Sequence, residues 1–201
     1  MSAESAVERG RQTRQRLLAA ATELIPEVGW ASVTTRRVAE RAGVRPGLVH
    51  YHFDSVADLL ATATVEFARR ALEEPLRELR AAPDPATGLA RLLAALDVYD
   101  GRDPGSLLLV EAALAAGRDA ALRTALAGLL AEYRDRVAEW LSGHGVADAA
   151  ESAALLCALL DGIVLHRALG QVPDTAALAG PLARILAPRE HTTGRSPQCG
   201  S

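Results

Sequence analysis

Between Arg45 and His52 the sequence RPGLVHYH gathers a guanidinium, a glycine, two imidazoles and a phenol. In a helix, Val49 and Phe53 at i, i+4 make a narrow buried stripe and leave Gly47, Leu48, His50, Tyr51 and His52 facing outward. Gly47 removes bulk where a duplex approaches, and the rings can donate to phosphate or touch base edges. That chemistry suits a nucleic-acid surface. Packing or capping is the alternative use for His50 and His52. Side chains able to move protons stand elsewhere, at Glu111, Asp161 and His166, but no nucleophile motif, metal-spaced ligand set or phosphate loop accompanies them. The sequence therefore predicts no catalytic residue, no metal and no cofactor.

Two short helices must position that face. Thr34 carries a hydroxyl suited to capping free backbone N–H groups, and the helix it opens puts Val38, Ala39 and Ala42 on one side. Gly43 ends it, since a residue just past a helix C-terminus often needs positive φ. The second helix starts around Pro46, where a missing N–H costs nothing. The corner Ala42-Gly43-Val44 makes the pair a helix-turn-helix, with DNA as the leading partner. Ahead of it, a helix from about Arg11 to Val28 lines up Leu17, Leu18, Ala21, Leu24, Ile25 and Val28, and Trp30 and Val33 pack beneath this head.

From about Arg11 to Leu60 the chain resembles the DNA-binding domain of TetR-family (tetracycline-repressor-like) transcriptional regulators. Three blocks carry the likeness in order: TTRRVAERAGV, GLVHYHF and DSVADLL. The resemblance implies that Thr34 and Thr35 meet phosphate, that Arg36 is the best candidate for a base contact, and that Arg45, Gly47 and Leu48 open the recognition helix. His50 stands where the family usually has a phosphate-contacting Tyr, with Tyr51 next to it. Val56 replaces the family's common Lys, so a phosphate contact is expected to be missing there.

Composition fits this picture. The 201 residues are 49% hydrophobic, ample for a core. With seven aromatic residues, abundant Ala and Leu and no β-branched runs, the expected class is all-α. The basic residues are all arginine, and they are unevenly placed: residues 1–54 hold eight against six acids, a balance of +2, while residues 55–201 hold fourteen against nineteen, a balance of −5. A mildly basic head on an acidic body suits docking by one end. Cys157 and Cys199 suggest neither a disulfide framework nor a metal cluster. The polar, charged opening MSAESAVERGRQTRQR is no secretory signal, and the longest apolar run, Ala153 to Leu169, is broken by Asp161, His166 and Arg167. A cytoplasmic protein without a membrane partner is expected.

The domain reading is a disordered arm over 1–10, a three-helix DNA-binding head over 11–55, a helical body for ligand binding and dimerisation over 56–187, and a disordered tail over 188–201. Ser55 caps a long helix, expected to kink near Pro75, that links head to body, and the clearest break follows at Ala81-Ala82-Pro83-Asp84-Pro85. Further helices are expected over 86–99, 104–116, 119–142, 148–169 and 174–186. The penultimate one is apolar nearly all round, which suits either a partner chain or the centre of its own bundle. The resemblance favours a homodimer through the last two helices, placing Leu156, Leu159, Leu160, Ile163, Leu178 and Leu182 at the interface. Polar or aromatic interruptions of apolar helices mark the candidate ligand pocket: Tyr99, Glu111, Tyr133, Trp140, Asp161 and His166. The ligand itself is an unidentified apolar or amphipathic small molecule.

A two-fold dimer with recognition helices about 34 Å apart reads a palindromic operator. If a ligand prefers a different separation of the heads, it releases the DNA. That is the repressor mechanism the resemblance implies. The competing readings are a helical enzyme using Glu111, Asp161 or His166, and a dimeric scaffold whose head has lost its DNA contacts.

Overall fold

Short polar residues ahead of apolar runs determine where this chain becomes helix. The computed structural model describes residues 3–170 and 174–185, which form nine α-helices and no strand: α1 (Ala3–Val28), α2 (Thr35–Ala42), α3 (Gly47–His52), α4 (Val56–Arg80), α5 (Pro85–Ala95), α6 (Pro104–Ala116), α7 (Ala120–Gly143), α8 (Ala149–Ala168) and α9 (Thr175–Ile185). Single 3-10 turns lie at Trp30–Ser32 and Leu96–Val98. The all-α class stands.

Side-chain caps open five of these helices. Thr34 Oγ1 accepts from Arg37 N, Ser55 Oγ from Asp58 N at 3.0 Å, Asp84 from Thr87 N at 2.9 Å, Asp103 from Ser106 N at 2.9 Å, and Asp119 from Ala121 N and Leu122 N. Asp58 reaches back past the cap to accept from Asp54 N, so a second side-chain bond fixes the entry to α4. α5, α6 and α7 start within one residue of the sequence expectation. α4 continues through Pro75 to Arg80 as one element.

The expected arm over 1–10 is corrected: from Ala3 onward it belongs to α1. AESAVER lacks apolar periodicity but consists largely of good helix formers, and propensity carries the helix outward from the packed part. The start of α1 lies beside α3, with a Cβ placed on Gly10 falling 4.0 Å from His52 Cε1. The tail expected over 188–201, with Cys199, lies outside the described residues.

Two apolar cores hang on α4. The first joins Leu17, Leu18, Leu24 and Ile25 of α1 to Val38 and Ala39 of α2, Val49 of α3 with Phe53 just past its end, Leu59 and Leu60 of α4, and Leu108 of α6. The second joins Leu76 and Leu79 of α4 to Leu89, Leu92 and Leu93 of α5, Tyr133, Val137 and Leu141 of α7, and Leu156, Leu160 and Ile163 of α8. Each fully buried Leu contributes about 1.5–3 kcal/mol. Because α4 crosses from one core to the other, a shift in the body has a rigid route to the head.

α8 departs from expectation in one respect. Despite Asp161, His166 and Arg167, it is long and apolar enough by length and composition to cross a membrane. In the fold, its Ala153, Leu156, Cys157, Leu160 and Ile163 are buried in the second core.

Candidate nucleic-acid interface and effector cavity

The corner of the helix-turn-helix is built by backbone chemistry. Gly43 takes the left-handed conformation at φ 64°, ψ 40°. Its N–H reaches Glu40 O at 3.1 Å while Val44 N–H reaches Ala39 O at 2.9 Å, the paired bonds that close a helix end. Arg16 of α1 donates to the carbonyls of Ala42 and Gly43, satisfying the acceptors left at the end of α2. Arg41 then ties α2 to α1 through Glu27, at 2.6 Å, and Glu23, at 3.2 Å. The corner fixes the angle at which α3 leaves.

α3 is anchored by Val49, wholly buried, and by Phe53 just past its end, over whose ring the Arg14 guanidinium sits at 5.0 Å. Gly47, Leu48, His50 and Tyr51 face solvent, and Tyr51 is 79% exposed. Arg45 is exposed, and its side chain has no hydrogen-bond or ion-pair partner among the described residues. His52 is different: it is half-buried beside Gly10, with its ring edge-on to Tyr51 at 5.0 Å. At the start of α2, the exposed Thr34 hydroxyl accepts the capping bond and keeps its own O–H to donate, Thr35 is half-buried, and the first-turn backbone N–H groups add further donors. Arg36 is exposed but paired with Glu40 at 2.9 Å, an ion pair that a base contact would have to replace. Val56 packs its half-buried side chain on the first core.

The body encloses a cavity of about 100 Å³ between α4, α5, α6, α7 and α8. Its wall is mostly aliphatic, from Leu72, Pro75, Leu92, Leu96, Leu109 and Leu130, and Tyr99, Tyr133, Cys157 and Asp161 add the polar atoms. Burial raises the pKa of both tyrosine hydroxyls and pushes the Cys157 thiol up to about 11, so all three are neutral hydrogen-bonding groups. Asp161 is exposed along one edge of α8, yet the apolar surroundings of its carboxyl raise its pKa above the usual carboxylate value. Of the six residues expected in the pocket, Tyr99, Tyr133 and Asp161 line this cavity. Glu111 instead accepts a hydrogen bond from Trp30 N at 2.8 Å, joining α6 to the head. Trp140 packs between Gly88 and His144, with ring centroids 4.2 Å apart. His166 is exposed near the end of α8. The proton-moving trio is thus dispersed, since neither Glu111 nor His166 lines the cavity that holds Asp161. No cluster of metal-ligating side chains occurs among the described residues.

Residues 17–63 match the family described as bacterial regulatory proteins, tetR family, and residues 82–188, more than half of the chain, match the tetracyclin repressor-like C-terminal domain. This chain belongs to the TetR family. Similar solved structures of TetR-like fold include one from Streptomyces coelicolor described as a transcriptional regulator, at 32% identity over 88% of this chain and 99% of that one, TM-score 0.73. A transcriptional regulator from Rhodococcus is 25% identical over 86% of this chain and 95% of its own, TM-score 0.70. An uncharacterized HTH-type transcriptional regulator of Mycobacterium tuberculosis is 30% identical over 131 residues, 65% of this chain and 66% of that protein, just under two thirds of its length. Transcription regulation and a DNA-binding helix-turn-helix head are the shared attributes of this TetR family.

Viewed as a TetR-family body, α8 divides its apolar residues between two faces. Leu156, Leu160 and Ile163 are buried in the chain's own second core, and Leu159, Leu178 and Leu182 are half-buried against it. The opposite side carries Leu155, 65% exposed, Ala158, Gly162, Leu165, 52% exposed, and Leu169, 69% exposed. These five recur at alternating three- and four-residue steps, a continuous stripe along one face. A side chain added at Gly162 would meet nothing within 4 Å. Sequence reasoning detected the excess of apolar residues and missed which of them face out.

Proposed function

We propose that this TetR-family protein is a homodimeric, cytoplasmic repressor that binds a palindromic operator through residues 11–55 and is released by a small molecule held in the body, residues 56–187. The observation that carries the DNA reading is the solvent face of α3, with Tyr51 and His50 exposed beside the unpaired Arg45 on a helix fixed by buried Val49. Gly47 and Leu48 at its start enter the major groove, Thr35 and Arg36 meet the flanking backbone, and His52 contributes through packing more than contact. The absence of enzymatic activity belongs to the same reading.

For the dimer, the stripe Leu155, Ala158, Gly162, Leu165 and Leu169 is the best-supported contact face of α8, with small residues at its centre that let a second α8 approach closely. This replaces Leu156, Leu160 and Ile163, which serve the protomer's own core. The cavity at Tyr99, Tyr133 and Asp161 is the effector site.

A gel-shift titration against the DNA upstream of the protein's own gene, at several salt concentrations, tests the DNA reading. A specific shift is expected, together with its loss in the double variant Arg45→Ala, Tyr51→Ala. Sequence-indifferent binding at every salt concentration would overturn it.

A further inference from the structure

The effector cavity holds one formal charge among its described lining residues, the Asp161 carboxylate, and no basic side chain lines it. The Asp161 carboxylate has no hydrogen-bond or ion-pair partner among the described residues. Asp is a poor helix former, and this one sits inside α8 between Leu160 and Gly162, where it caps nothing. Several other acids of the body have structural work: Asp84, Asp103 and Asp119 cap helices, Asp97 holds Arg167 at 2.7 Å, and Glu132 holds Arg69 at 3.2 Å. Asp161 is exposed along one edge of α8 and borders the aliphatic cavity, so a cationic group seated there would meet its carboxylate.

The rest of the wall agrees. Tyr99 and Tyr133 bring aromatic rings, which attract cations through their π faces. Their hydroxyls and the Cys157 thiol are neutral, so none of them repels a positive group. The volume of about 100 Å³ is well below the roughly 300–1,000 Å³ of sites for drug-sized ligands, which limits the apolar part to a short chain.

We propose that the cavity takes a small organic cation, an alkylammonium or quaternary ammonium with a short apolar body, with Asp161 as its counter-charge and Tyr99 and Tyr133 in its aromatic wall. This rests on the reading of the cavity as the effector site, and it names the chemical class of the effector. An anionic amphipath has a different place to go. Leu72 and Tyr133 also border a cleft of about 300 Å³ that carries Arg69, Arg77, Arg80 and Arg136 against Glu73 and Glu132.

The test uses the full-length, DNA-free protein, titrated with n-pentylammonium, n-pentanol and n-hexanoate by calorimetry and ligand-observed NMR. Pentylammonium is expected to bind at least about tenfold more tightly than either competitor, the scale of one charge-assisted contact. Asp161→Asn, nearly isosteric and checked for folding by circular dichroism, is expected to erase that margin while leaving pentanol binding unchanged. Three results overturn the proposal: tighter binding of hexanoate, which would favour the arginine cleft; unchanged ammonium affinity in Asp161→Asn; or no binding of any probe. A parallel gel shift keeps the two readings distinct. Asp161-dependent ammonium binding that leaves operator affinity unchanged supports the ligand class and counts against release by that ligand.

Discussion

The carboxylate of Glu111 accepts a hydrogen bond from the backbone N–H of Trp30 at 2.8 Å, so the body reaches across 81 residues of sequence to hold the turn that leads into the helix-turn-helix. The two atoms belong to different functional regions. Trp30 opens the 3-10 turn between α1 and α2, and Glu111 lies in α6, whose Leu108 is buried in the head's core and whose Leu109 lines the cavity of the body. A movement of α6 would therefore be felt at both ends.

Replacing Glu111 by Ala leaves that N–H without its partner and should lower stability by about 1.5–3 kcal/mol, the range for a hydrogen bond to a charged group. Glu111→Gln keeps an acceptor oxygen and should recover much of the loss. Thermal unfolding of both variants decides it. If both melt at the wild-type temperature, Glu111 is no strut.

The arginines of the head divide by partner rather than by position in the sequence. Arg16 closes the end of α2, Arg41 bridges Glu23 and Glu27, and Arg14 lies against Phe53 and Glu66, so these three build the head. Arg45 is free. Arg45→Ala is expected to weaken operator binding and reduce the slope of log affinity against log salt by about 1, with an unchanged melting temperature. Arg41→Ala should do the reverse, lowering the melting temperature while keeping the salt slope. Equal salt slopes for Arg45→Ala and wild type would remove Arg45 from the phosphate contacts.

That division shows where the sequence is legible. Thr34, Gly43 and Ser55 could be assigned from the sequence because caps and corners depend on chemistry within a few residues. The beginning of α1 was missed because it lacks an apolar stripe, although its propensity alone extends a helix already anchored by Leu17 and Leu18. On α8, Leu155 and Leu156 are adjacent, and in a helix apolar nearly all round no periodicity says which one faces the core. The polar interruptions at Tyr99, Tyr133 and Asp161 converge on the cavity, while Glu111, Trp140 and His166 give the same local signal and go elsewhere. Only tertiary partners, such as Trp30 for Glu111 and Gly88 for Trp140, separate the two sets.

Gly88 is one such partner. A Cβ there would come within 2.5 Å of the Trp140 ring and 2.9 Å of Leu79. Gly88→Ala gains helix propensity but overpacks α5 against α7, and a net loss of about 1–2 kcal/mol is expected by urea unfolding. A stabilised variant would mean that Trp140 can move aside.

The Cys157 thiol gives a pH-dependent readout of the cavity wall. Burial first, and then the neighbouring Asp161, push it up to about 11 from an ordinary 9.0. The folded state keeps a proton that the unfolded chain releases near 9. This contribution to stability is therefore complete below pH 9 and is lost as the pH rises towards 11. At pH 8 the thiolate fraction falls from roughly a tenth to roughly a thousandth, so iodoacetamide should label Cys157 about a hundredfold more slowly in the folded protein than in urea. A Cys199→Ser background isolates the signal. Equal rates would mean that the thiol is not shielded.

The outer stripe of α8 makes the last prediction. Leu155, Leu165 and Leu169 are each more than half exposed, and the positions between them, Ala158 and Gly162, are small enough for two helix backbones to approach. Leu155→Glu with Leu165→Glu places four carboxylates in a two-fold contact without touching the protomer's core, so light scattering should report a folded monomer with unchanged helix content. Operator affinity should fall steeply, because a single head reads only half of a palindrome. A Leu160→Ala variant separates the faces. Leu160 is buried, so its truncation should cost about 2–5 kcal/mol of stability while the folded fraction stays dimeric. If the double glutamate variant remained a dimer, the contact would have to lie on another face, and the exposure of this stripe would need a different explanation.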